Sequence, residues 1–279
     1  MTAAPVPPPS TSSPSSPRAS ARPVAIVTGA SRGIGAAIAL ELARAGHDVA
    51  LLARSVPDLE RSAAAVRAVG GQALVLPTDA TDAAAVAAAV RAVQQAFGRV
   101  DVVVANAGVY RRAPATAVTR GDIELALRDN FWSAFHLLDA CVPLLRTQRR
   151  GHVVILNSFD AKKGLPLDAA YAAAKAALAS FGASLRQDLR QDGVHVCSVF
   201  PGRVDTAMVG QLDVPAISAK IPAERVARAV LRGMRWRRAE VLVPWHIRSL
   251  WWLDVLSPRL GDWLVRVLRL DGRERVPRA

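Results

Sequence analysis

The chain has 279 residues, of which 51% are hydrophobic, and carries a net charge of +13. That length and composition suit one large α/β domain or two small ones with a sizeable core. The charge suits nucleic acid or anionic lipid, but no helix-turn-helix, zinc-finger or RNA-binding signature accompanies it, and the two distant cysteines, Cys141 and Cys197, fit neither a disulfide framework nor a zinc site.

Residues 1–22 are rich in proline, serine and threonine and read as a disordered tail. They lack the apolar run of a secretory signal and the twin arginine of a folded-export signal. No run of about 18 apolar residues is present, so no transmembrane helix is expected. Together with the cysteine usage this points to the cytoplasm, with contact at the membrane periphery left open by the C-terminus.

After the tail, strand-like and helix-like segments alternate. "VAIVTG" (24–29) is a β-branched apolar run ending in glycine, followed by the helix-periodic "IGAAIALELARAG" (34–46). "DVALLAR" is the next strand, residues 59–69 the next helix, and "ALVLPTD" and "VDVVVANAG" further strands with the helix 83–98 between them. A long helical region covers 122–148. Strand "HVVILNS", an alanine-rich helix containing Tyr171, strand "VHVCSVFPG", helix 222–234 and the short strand "AEVLVP" complete the series. Continuous apolar strands alternating with helices mean an α/β fold, a parallel sheet covered on both faces. Its ligands belong at the carboxyl ends of the strands, where "TGASRGIG", "TDATD", "ANAG", "NS" and "PGRVDT" converge.

"TGASRGIG" (28–35) joins the first strand to the first helix. Gly29 permits the sharp turn, and Gly33 and Gly35 let backbone and helix approach a ligand without a Cβ in the way. A helix start offers free N–H groups and a positive dipole to a pyrophosphate. "DAAYAAAKAALASF" (168–181) sets Tyr171 and Lys175 one turn apart on one helix face. Taken alone, that pair reads as a packed ring beside a solvated charge. The chemical alternative is a phenol whose pKa, ordinarily about 10, is lowered by roughly 1–3 units by a neighbouring cation.

The ordered set "TGASRGIG", "ANAG", Asn130, Ser158, "YAAAK" and "PGRVDT" resembles the short-chain dehydrogenase/reductase family over about residues 23–243. The resemblance implies a Rossmann-like, doubly wound parallel sheet in a single domain (23–244), followed by an extension (245–279). It implies Tyr171 as acid/base, Lys175 on the nicotinamide ribose, Ser158 on the substrate carbonyl, and Asn130 holding a water that links the lysine to solvent. It implies cofactor contacts from Gly29, Ser31, Arg32, Gly33, Ile34 and Gly35 of the turn, and from Arg54, Asp79 and Ala80 after the second and third strands. Asn106, Ala107 and Gly108 after the fourth strand join them, with Pro201, Gly202, Val204 and Thr206 after the sixth. No acid ends the second strand, where Ala53 is followed by Arg54. With Arg32 this looks like NADP(H) in preference to NAD(H), because guanidinium groups suit a 2′-phosphate. The expected activity is hydride transfer between nicotinamide and a small-molecule carbonyl or secondary alcohol, in a homodimer or homotetramer, without nucleic acid or metal. The alternatives are a nucleotide-sensing or scaffold protein on the same fold, and a related lyase or epimerase.

Three features depart from the family's pattern. Ala105 replaces an asparagine. Asp160, Lys162 and Lys163 follow the serine where small residues are usual, either selecting a polar substrate end or facing water. The variable substrate loop, about 207–221, carries no diagnostic residue. Beyond it, residues 245–270 hold four of the chain's six tryptophans alongside Arg248, Arg259, Arg266 and Arg269. Pro258 separates two short helices, the second amphipathic through Leu260, Trp263, Leu264, Val267 and Leu268. Packing on protein or a lid over a bulky apolar substrate ranks ahead of peripheral membrane contact for this segment.

Overall fold

Strand β1 (Val24–Thr28) is buried along its whole length, as a strand must be when helices cover both faces of its sheet. The computed structural model describes residues 20–207, 212–215, 218–270 and 272–274. Most of the N-terminal tail, part of the substrate loop and the last residues lie outside the described residues.

The elements run β1, α1 (Gly33–Arg44), β2 (Asp48–Ala53), α2 (Val56–Ala68), β3 (Ala73–Pro77), α3 (Ala83–Phe97) and β4 (Val102–Ala105). They continue through α4 (Arg120–Leu127), a single π turn (Arg128–Trp132), α5 (Ser133–Gln148), β5 (Gly151–Leu156), α6 (Ala169–Asp188) and β6 (Val194–Pro201). The last are β7 (Leu212–Asp213), α7 (Ala223–Arg235), β8 (Glu240–Val243), α8 (Ile247–Leu256), α9 (Pro258–Val267) and β9 (Arg273–Glu274). Seven parallel strands form one sheet in the order β3-β2-β1-β4-β5-β6-β8. The order reverses between β1 and β4, which opens a crevice at their carboxyl ends. One apolar cluster packs α1, α2 and α7 on one face, and a second packs α3, α5 and α6 on the other. β7 and β9 pair antiparallel outside the sheet. No helix among the described residues is long and apolar enough to cross a membrane.

Two elements differ from the sequence expectation. Helix α2 begins at Val56 rather than Leu59, because Pro57 is accommodated in its first turn after Ser55. The long helix expected over 122–148 is broken into α4 and α5 by the π turn that carries Asn130. Such single wide turns re-aim side chains within a helix.

Candidate active site

The glycine turn shows why its sequence is what it is. Gly29 has φ +64°, and a Cβ on Gly35 would collide with the Gly29 carbonyl oxygen. The amides at the start of α1 carry no side-chain cap and no acid lies in the first turn, so this helix end presents bare N–H groups and positive dipole, suited to a diphosphate. Asn106 fixes the turn from the other side. Its Nδ2 donates to the Thr28 and Gly29 carbonyls at 2.9 and 3.2 Å, while the Thr28 hydroxyl receives the Asn106 and Ala107 amides. The ends of β1 and β4 are thus stitched together around the crevice.

At the ends of β2 and β3, Arg54 and Asp79 are exposed and Ala80 is half-buried. Asp79 Oδ1 accepts from the Thr81 amide and hydroxyl, both at 2.9 Å. The amide bond, with smaller help from Arg54, holds this carboxyl below the usual range. The Ala80 carbonyl meets His136 Nδ1 at 3.2 Å. Arg32 is exposed at the N-cap of α1, and its field reaches Asp58 on α2.

A cavity of about 540 Å³ lies over the carboxyl ends of β5 and β6. Ser158 and Tyr171 line it together, with Ile34, Pro201, Gly202, Val204 and Thr206 from the cofactor side. Lys175 lies behind them, 4% exposed. Its Nζ donates to the Leu156 carbonyl at 2.8 Å and sits 5.9 Å from the Tyr171 ring centroid. Burial draws its pKa down to about 8.

The protein's own groups do not lower the Tyr171 pKa. Burial, then the Asp160 carboxyl, push the Tyr171 pKa up, with the neighbouring Ser158 hydroxyl acting the other way. The lysine's charge is directed at a carbonyl instead of the phenol, so the chain by itself keeps Tyr171 protonated. Asn130 is 1% exposed and spans the loop after β4. Its Nδ2 donates to the Val109 and Ala126 carbonyls at 2.9 and 3.1 Å, and its Oδ1 accepts the Val109 amide at 3.1 Å. A Cβ on Gly108 would lie 2.6 Å from Asn130 Oδ1 and 3.6 Å from Lys175 Nζ, so the two side chains converge on that glycine.

The short chain dehydrogenase sequence model matches residues 23–215. An uncharacterized oxidoreductase of Myxococcus xanthus is 34% identical over 80% of this chain and 88% of its own. A fatty acyl-CoA reductase of Acinetobacter baylyi is 31% identical over 75% and 73%. The chain belongs to the short-chain dehydrogenase family. It is an NAD(P)-dependent dehydrogenase/reductase. The structure of a short-chain dehydrogenase/reductase from Burkholderia phymatum in complex with NAD superimposes with a TM-score of 0.78, at 25% identity, covering 86% of this chain and 95% of that one. An alcohol dehydrogenase of Thermococcus sibiricus, complexed with 5-hydroxy-NADP, gives 0.72 at 28% identity, covering 79% and 95%.

In this short-chain dehydrogenase, Lys162 and Lys163 are turned away from water into ion pairs. Lys162 Nζ pairs with Glu240 at 2.8 Å and sits over the rings of Phe200 and Trp251, at 4.5 and 4.7 Å from their centroids. Lys163 Nζ meets Asp254 of α8 at 2.6 Å and Asp262 of α9 at 2.5 Å. The two lysines clamp the C-terminal helices onto the serine loop, and Leu250, Leu253, Leu264 and Leu268 of those helices wall the cavity. Only Asp160 turns inward, its Oδ2 receiving the Ser158 hydroxyl at 3.0 Å.

Sequence reasoning missed a further group. Asp168, at the N-cap of α6, accepts from the Tyr110 hydroxyl at 2.7 Å and from Arg112 Nε at 3.1 Å. The Tyr110 ring meets the Tyr171 ring edge-on at 5.0 Å. The signal was an acid immediately before the Tyr171 helix whose carboxyl caps no backbone amide.

Proposed function

We propose that the chain is an NADP(H)-preferring carbonyl reductase or alcohol dehydrogenase acting on a sizeable apolar carbonyl compound. The observation that carries this is the cavity itself, which sets the Ser158 and Tyr171 hydroxyls among leucines of the C-terminal helices. A pocket of several hundred Å³ with a few convergent polar groups is the usual form of a small-molecule site.

In the reducing direction Ser158 hydrogen-bonds the carbonyl oxygen and Tyr171 passes it the phenolic proton. The raised Tyr171 pKa keeps the proton-bearing form available at neutral pH. The nicotinamide, when bound, supplies the hydride to the carbonyl carbon. Ketone, reduced cofactor and one proton give alcohol and oxidised cofactor.

Lys175 would hold the nicotinamide ribose, and it remains largely cationic at neutral pH with a pKa of about 8. Pro201, Gly202, Val204 and Thr206 would hold the nicotinamide amide. Gly29, Ser31, Gly33, Ile34 and Gly35 would hold the diphosphate, and Asp79, Ala80, Asn106, Ala107 and Gly108 the adenosine side. Asn130 would keep a water between Lys175 and solvent as the route for reprotonation. The exposed Arg32 and Arg54, with Ala53 in place of an acid, support the 2′-phosphate reading.

Similarity to a fatty acyl-CoA reductase and, at 30% identity over 78% of this chain and 77% of its own, to a ketoacyl reductase of Nostoc supports a long or bulky carbonyl substrate. Self-association is supported by the exposed indole of Trp132, which lies in a ring cluster with Phe131 of the same π turn, Phe135 of α5 and Phe181 of α6.

The test is NADPH and NADH oxidation with ketones, aldehydes and 3-oxoacyl thioesters of increasing chain length. The reading expects turnover with NADPH and a kcat/KM that rises with apolar length. A profile without turnover, or one confined to small polar carbonyls, defeats it.

A further inference from the structure

Helices α8 and α9 have three faces each, and the protein uses two. One face presents leucines to the cavity. A second meets the body, where Trp251 lies under Lys162 and both acids, Asp254 and Asp262, pair with Lys163. The third is turned to water and is apolar. Trp245 and Leu256 are 79% exposed, Trp252 and Trp263 51% and 53%, with Val255 and Val267 beside them at 55%. The spacing 252, 255, 256 on α8 and 263, 267 on α9 gives each helix one outward stripe.

Charge decides what this face can meet. The only acids in residues 245–270 are the two bound by Lys163, whereas Arg248, Arg259, Arg266 and Arg269 are all exposed. The outer surface therefore combines indoles and aliphatic groups with an excess of guanidinium groups, of which Arg266 lies in the field of Asp262. A second copy of the same face would set arginines against arginines, and like charges across an interface are repulsive. An anionic bilayer offers the complement: headgroup phosphates for the arginines, and an interfacial layer in which tryptophan is favoured.

We propose that the outer face of α8 and α9 docks on the surface of an anionic phospholipid bilayer, both helices lying in the headgroup plane without crossing it. Lys163 pairs with both carboxylates, Asp254 partly buried and Asp262 largely exposed, so one lysine both fastens the helices and offsets their acids, and the four arginines leave the segment net cationic. The proposal is independent of the hydride-transfer reading, since binding is measured without cofactor or substrate.

The experiment is co-sedimentation of the full chain with vesicles of phosphatidylcholine alone, or with about a quarter phosphatidylglycerol, together with tryptophan emission. The expected result is sedimentation and a blue shift with the anionic vesicles only, both weakened by salt. Trp252→Ser with Trp263→Ser should lower partitioning by about tenfold or more. Each of Arg248→Gln, Arg259→Gln and Arg266→Gln should lower it by about fivefold. These positions are exposed, so the variants should keep the wild-type Tm and oxidise NADPH with a small soluble ketone as before. No binding to anionic vesicles overturns the proposal, as does binding that survives the tryptophan substitutions. A wild-type dimer that ignores vesicles and becomes monomeric in the tryptophan variant assigns the face to a second copy instead.

Discussion

Ser158 donates its hydroxyl proton to Asp160, two residues further along, at 3.0 Å. In the proposed mechanism that proton is the one offered to the substrate carbonyl. An ionised Asp160 competes with substrate for Ser158, whereas a protonated Asp160 can donate to the serine oxygen and release the serine proton toward the cavity. Burial, then the nearby Asp168 carboxyl, push the Asp160 pKa up to about 7, against Ser158, Arg203 and Arg112. Carbonyl reduction by the wild type should therefore lose kcat/KM as pH rises through about 7. Asp160→Asn should remove that limb. A pH profile of the variant that still falls near neutrality would leave Asp160 without this influence.

The same shift has a stability consequence of fixed sign. A carboxyl whose folded pKa lies above its unfolded value stabilises the fold fully below the unfolded value of 3.8, and that contribution is lost as pH rises through about 7. Asp160→Asn, neutral at every pH, should raise Tm relative to wild type more at pH about 8 than at pH about 5, by roughly 2 °C or more. Thermal melts at the two pH values measure it, and equal differences would contradict the assignment.

Tyr171→Phe keeps the ring, and with it the edge contact to Tyr110, but removes the proton. Turnover should fall by about 10²–10⁴-fold, while NADPH affinity, measured by fluorescence titration, stays within about twofold. An equally large loss of NADPH binding would mean that the hydroxyl organises the cofactor pocket rather than moving a proton.

The legible part of the molecule was that written in local chemistry. Short apolar runs gave every strand of the main sheet, and the glycine turn, Ser158, Tyr171 and Lys175 stood out because few residue types can serve the positions proposed for them. What the chain kept hidden was written in pairings over long separations. Lys163 meets Asp262 across 99 residues and Asp254 from the helix before it, and Tyr110 meets Asp168 across 58 residues. Nothing in the neighbourhood of either residue announces its partner. The π turn at Asn130 escaped for another reason: its residues have ordinary helix propensities, and the widening serves the position of one amide among α4, α5 and the loop after β4. The burial that raises the Tyr171 pKa in the protein alone is not legible either, because the sequence shows the lysine but not the packing around the phenol.

The proposed preference for NADP(H) rests on two exposed guanidinium groups, whose removal should not disturb the core. Arg32→Ala with Arg54→Ala should weaken NADPH binding by about 1–3 kcal/mol and change NADH binding little. Titration of both cofactors against both proteins decides this. Equal wild-type affinities for NADPH and NADH would remove the preference altogether.

Lys163 is the sharpest test of how the C-terminal helices serve the cavity. Its side chain is 9% exposed and holds one partly buried carboxylate, Asp254, and one largely exposed, Asp262. Removing one partner of a buried pair costs about 3–5 kcal/mol, and solvent around Asp262 reduces that toward the value of an exposed pair. Lys163→Met preserves the length and apolar stem but strands Asp254 against Gly261, where a Cβ would already crowd its carboxylate. The sheet and its two apolar clusters do not include this contact, so the main unfolding transition should move little. The loss should instead appear locally, as faster amide exchange and proteolysis across residues 247–267. Because those helices supply the leucine wall, KM should rise several-fold for long-chain carbonyls and much less for short ones, with kcat on short substrates retained. A variant with wild-type exchange in α8 and α9, or with KM raised equally for all chain lengths, would show that the clamp does not govern the cavity wall.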